Sequence, residues 1–120
     1  MTSLNTFGAV LSYAIQLEAD LASYYQKAGN AERAKEADKR KSKLERVRRE
    51  NVLEITLEPI EGLSEADYAL DFEDTSSAGQ QKIEGVAAQF YADAAPKINV
   101  LQAQRALERY GKEHTALSDA

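Results

Sequence analysis

Apolar residues recur along this chain at alternating three- and four-residue steps, the period of a helix with one buried face. The first stripe is Leu4, Phe7, Leu11, Ala14, Leu21, Tyr25 and Ala28. It predicts a helix over residues 4–28, with Thr2 or Ser3 as N-cap and Gly29-Asn30 as the stop. One position of that series holds a carboxylate, Glu18. A second stripe, Ala34, Ala37, Leu44, Val47, Val52 and Ile55, predicts a helix over residues 31–55. A third, Ile83, Ala87, Phe90, Tyr91 and Ala94, predicts one over residues 79–95, closed by Pro96. The fourth is expected over residues 100–117, with Leu101, Ala103 or Gln104, Leu107, Tyr110 and His114 inward. A connector over residues 57–78 carries Pro59, Gly62 and a polar run from Asp74. It is longer than most loops between helices, so a short helical turn is expected near residues 64–68.

The pattern therefore predicts an all-α protein: an antiparallel four-helix bundle forming one domain over residues 1–120. Two helix pairs, residues 4–56 and 79–117, flank the connector. Composition agrees. A chain of 120 residues can bury one modest core, and only two prolines and six glycines interrupt its helix formers. The absence of cysteine excludes disulfides, thiolate metal sites and thiol catalysis. The first Lys or Arg is Lys27 and no apolar run is long enough to span a membrane, so a soluble, cytoplasmic protein without a membrane partner is expected.

Charge is unevenly spread. Residues 33–49 contain nine Lys or Arg, while residues 54–74 contain eight acids and no base. The simplest reading is a solvated helix face and a solvated loop, attracted to each other or to a neighbouring subunit. The net charge of −5 and the lack of aromatic residues within the basic run argue against nucleic acid as partner. Calcium is excluded from the acidic loop, because Lys82 stands where a closing glutamate is needed.

One sequence pattern occurs twice. Residues 17–28 read LEADLASYYQKA and residues 83–94 read IEGVAAQFYADA, each with a glutamate seven positions before a tyrosine. The offset is 66 residues, placing Glu18 on Glu84 and Tyr25 on Tyr91. The same offset lays LERVR (residues 44–48) over YGKEH (residues 110–114). Glu45 and Arg48 are then matched with Gly111 and His114, each pair one helical turn apart.

These motifs resemble the ferritin-like carboxylate proteins, the rubrerythrin group in particular. The resemblance implies a four-helix bundle of two similar pairs. One helix of each pair supplies a Glu and the other a Glu-x-x-His, directed at two metal ions. It covers most of the chain outside the connector. Glu18, Glu84, Glu45 and His114 match ligand positions; Arg48 stands in place of a His and Gly111 in place of a Glu. Neither replacement offers a lone pair to a metal. The resemblance thus implies a reduced site, in which Arg48 pairs with Glu18 and fills the position of one cation. Glu84, His114 and Glu45 remain for a single Fe, Mn or Zn ion. No organic cofactor is indicated.

Three functions follow as expectations. One is a reduced ferritin-like metal site tied to iron handling or oxidative stress, as the family implies. Another is a metal-free, non-catalytic bundle that assembles with itself, as a dimer, or with a protein partner. The third is nucleic-acid binding through residues 33–49. No nucleophile–base set or phosphate loop indicates an enzyme, and the family's two-metal chemistry lacks its full ligand set.

Overall fold

The computed structural model describes residues 4, 6–51, 60 and 62–119. These form four α-helices: α1 (Phe7–Lys27), α2 (Ala31–Glu50), α3 (Ser77–Ala94) and α4 (Leu101–Asp119). Among the described residues there is no β-strand. A helical bundle is the result, about 40 Å long and 25 Å across.

Local chemistry sets the helix ends. Thr6 caps α1, its hydroxyl accepting from the Ala9 amide at 3.0 Å. The expected caps, Thr2 and Ser3, lie outside the described residues, as do Val52 and Ile55 of the second stripe. Three residues turn the chain between α1 and α2. Gly29 takes a left-handed φ of 80°, and the Asn30 side chain caps α2 by accepting from the Arg33 amide at 3.1 Å. Helix α3 starts at Ser77, two residues before the expected start, because Ser76 caps it through the Gly79 amide at 3.1 Å. Ser76 is held in turn by the Asp74 carboxylate.

The chain crosses itself closely here. A Cβ added to Gly79 would lie 2.4 Å from the Asp74 carbonyl oxygen, a distance at which backbone must move. Gly79→Ala is therefore expected to destabilise the protein by about 1–3 kcal/mol, despite alanine's better helix propensity. Urea denaturation of the two proteins measures it; equal midpoints would mean that the connector yields freely.

Helix α1 packs along α2, α3 packs along α4, and α2 also touches α4. The connector contains a short 3-10 helix, Glu65–Tyr68, where a helical turn was expected. It lies along α1: the Tyr13 hydroxyl donates to the Tyr68 carbonyl at 3.5 Å and Lys27 donates to the Phe72 carbonyl at 2.8 Å. Leu101 is a correction. It is 56% exposed on the first turn of α4, because the preceding 3-10 turn, Ala95–Lys97, delivers Ile98 into the core instead. Among the described residues, no helix is long and apolar enough to cross a membrane.

Candidate functional site

Each helix contributes one charged side chain to the middle of the bundle: Glu18 from α1, Arg40 from α2, Glu84 from α3 and His114 from α4. Arg40 is 3% exposed and the other three are fully buried. Charges this deep are tolerated only when paired and hydrogen-bonded. Here they are paired with one another.

His114 lies between the two carboxylates. Its Nε2 is 2.8 Å from Oε2 of Glu18, and its Nδ1 is hydrogen-bonded to Oε2 of Glu84. The other oxygen of Glu18 accepts from Arg40 Nε at 2.8 Å. Arg40 Nη1 donates to Glu113 of α4 at 3.2 Å, whereas its Nη2 is buried without an acceptor among the described residues. Two tyrosines complete the cluster. Tyr91 donates to Oε2 of Glu18 at 2.6 Å, and Tyr25 donates to Oε1 of Glu84 at 2.5 Å. The Tyr91 ring also stacks on the imidazole, with 5.4 Å between centroids and 8° between planes. Arg33 closes the Tyr25 end, its guanidinium 5.6 Å from the ring centroid and Nη1 3.5 Å from the hydroxyl.

The electrostatics follow from this packing. Burial pulls the His114 pKa down, but hydrogen bonds to Glu18 and Glu84 and their charges outweigh it and lift it to about 9. At neutral pH the ring is an imidazolium donating from both nitrogens. Burial pushes Glu18 up, and the hydrogen bond and charge of His114 together with the charge of Arg40 bring it below the usual carboxylate range. Tyr91 is held well above its ordinary pKa, first by burial and then by Glu18, so it stays a neutral donor.

Glycine 111 has a steric role. A Cβ there would lie 3.1 Å from the Cβ of Tyr91, so the bare backbone lets α4 approach α3 where Tyr91 turns towards Glu18.

Glu18, Glu84 and His114 are thus brought together. Glu45 and Arg48 are not. Arg48 is exposed, Glu45 is half-buried, and both line a surface cleft with Ser12, Ile15 and Gln16. Each follows a seam residue, Leu44 or Val47, and is rotated from the core by about 100°. The cation paired with Glu18 is Arg40, not Arg48. A signal for Arg40 was present: Leu44 is seven positions after Ala37, and the seam needs an occupant three or four residues after Ala37. Arg40 fills it as Glu18 fills the seam of α1. The common 66-residue offset does not hold for the buried cations of the second helices. Glu18 and Arg40 are 22 residues apart, Glu84 and His114 30.

Among the described residues, no group of three or more His, Cys, Asp and Glu side chains is arranged to hold a metal ion. The reason is chemical. Both ring nitrogens of His114 face carboxylates as donors, and the guanidinium of Arg40 has no lone pair to give. This donor set does not fit the two-metal centre that the sequence resemblance implies. No family model, curated protein or solved structure matches the chain.

Proposed function

We propose that this chain is a ferritin-like helical bundle whose central acidic site is neutralised by protein cations, and that it works without metal or catalysis, through self-assembly or a protein partner. One observation carries the reading: the His114 imidazole bridges carboxylates of two other helices, while Arg40 holds the remaining oxygen of Glu18. Cations already occupy the places from which ligands would have to act.

The ferritin-like arrangement is supported by the sense of the tyrosine pairs. As α1 advances from Glu18 to Tyr25, its partners on α3 recede from Tyr91 to Glu84. That sense is expected when one long connector crosses the bundle between the second and third helices. Assembly is supported by opposed surfaces. Lys35, Lys39, Lys43 and Arg46 are exposed on α2, and Asp67, Asp71, Glu73 and Asp74 are exposed on the connector. Such patches draw copies together at low salt. A cytoplasmic dimer fits this reading.

Elemental analysis of protein purified without chelator, repeated after anaerobic loading with Fe²⁺, tests it. The expected content is below roughly 0.1 equivalent per chain in both samples. One equivalent that disappears in Glu84→Ala and His114→Ala would instead establish the single Fe, Mn or Zn site on Glu18, Glu84 and His114.

A further inference from the structure

We infer that copies of this chain join head to tail, the basic outer face of α2 on one copy seated on the acidic connector of the next. The inference rests on the self-assembly reading above and names the two surfaces that meet.

Charge singles out both surfaces. Residues 33–49 carry nine bases against three acids, a formal balance of +6. The whole chain carries −5, so the remaining residues carry −11. A second copy is therefore repelled by most of this surface and attracted by α2. The connector is its strongest match, with eight acids and no base over residues 54–74. On α2 the bases form a stripe. Lys35, Lys39, Lys43 and Arg46 are exposed at three- and four-residue steps, across the helix from the buried Ala37, Arg40, Leu44 and Val47. The stripe is about 17 Å long. Lys39 and Arg46 reach Glu36 and Glu50 of their own helix at 3.5 Å, while Lys35 and Lys43 pair with no carboxylate among the described residues. Exposed pairs within one helix are weak, so a partner's carboxylates can replace them.

Position decides how the copies meet. Beyond itself, the described connector is hydrogen-bonded to Tyr13, Tyr24 and Lys27 of α1 and to Gln80 and Asp93 of α3. Among the described residues no ion pair links it to α2. Helix α2 packs on α1 and touches α4, and its stripe points away from both. Asp67, Asp71 and Glu73 are exposed on a connector that covers the α1–α3 side. The two surfaces face different directions, and one two-fold interface cannot hold both. Contact between unlike surfaces is heterologous: a pair of copies keeps one stripe and one connector free, to which further copies add. The dimer is the first member of a series.

The test compares the native chain with two neutralised variants at neutral pH. One is Lys35→Gln, Lys39→Gln, Lys43→Gln; the other is Asp67→Asn, Asp71→Asn, Glu73→Gln, in which Asp71→Asn keeps an acceptor for the Glu73 amide. Sedimentation equilibrium reads the mass. In about 10 mM salt the native mass is expected to climb past that of a two-chain complex as concentration rises, and to return to one chain in about 0.5 M salt. Growth to a fixed mass above two chains is a closed ring and supports the inference equally. Each variant alone should remain a single chain. Their equimolar mixture restores one stripe facing one connector, and should form pairs that stop at two.

A native mass that levels off at two chains at every concentration overturns the inference in favour of a two-fold contact. Growth that persists in about 0.5 M salt, or in either variant alone, places the contact on another surface and overturns it too. The native salt series decides the mode of assembly even if a variant does not fold. A native chain that stays single throughout is a different result: it removes the self-assembly reading itself.

Discussion

Glu18→Ala is expected to destabilise the protein by about 3–5 kcal/mol. Glu18 is fully buried and accepts from three groups at once: Arg40, His114 and Tyr91. Alanine leaves a guanidinium and an imidazolium buried with one carboxylate partner each, and a phenol with none. The cost is that of stranded charge rather than of lost attraction. For a chain of this size it corresponds to a fall in Tm of roughly 10–20 °C. Glu18→Gln preserves the shape and one acceptor, and is expected to cost about 1–3 kcal/mol. Glu45→Ala and Arg48→Ala provide the contrast, because both side chains face the surface cleft and should stay within about 0.5 kcal/mol. Urea unfolding of the four variants measures the set. If Glu18→Ala fell within the range of the surface pair, the central network would contribute nothing to stability.

The second large effect is a dependence on pH with two limbs of opposite cause. His114 has its pKa raised from 6.5 to about 9 in the folded chain, so folding binds its proton more tightly than the unfolded chain does. That contribution is complete below about pH 6.5 and is lost progressively as pH rises through about 9. The shift corresponds to on the order of 3 kcal/mol for this buried ring. Glu18 behaves in the reverse sense, because its folded pKa lies below the ordinary 4.5. Its contribution is present above about pH 4.5 and is lost as pH falls below. Stability should therefore plateau between about pH 4.5 and 6.5 and decline on both sides. His114→Gln is expected to be less stable on the plateau and to lose the alkaline limb, so that native and variant converge towards about pH 9. Urea midpoints at about pH 5.5, 7.5 and 9 are sufficient. A native chain equally stable across the alkaline interval would show that the imidazole is not protonated between its carboxylates.

Both predictions depend on residues that differ in how legible they were. The three- and four-residue spacing made the four helices evident, because burial of one helical face leaves that period in the order of residues. It also exposed Glu18, since a carboxylate in an apolar seam is anomalous wherever it occurs. Glu84 followed by repetition, and His114 from its place among inward residues. The helix ends at Thr6 and Ser76 were displaced from their expected positions because several hydroxyl residues compete to cap each start. Which of them wins depends on how the connector approaches.

The pairing between helices was another matter. Arg48 and Arg40 have the same chemistry, and both lie within a turn of a seam residue. Choosing between them requires the rotation of α2 about its axis and the relative lengths of the two hairpins. Neither is a local property. Glu84 and His114 are 30 residues apart and Glu18 and Arg40 22, a difference of eight, of which the longer turn between α3 and α4 supplies three and positions within the helices the rest. A repeat that held in one pair of helices was therefore shifted in the other. The sequence by itself determined that four amphipathic helices would bury carboxylates and a histidine. Only the tertiary structure decided which cation meets them, because a buried charge accepts the partner that packing delivers within hydrogen-bond reach.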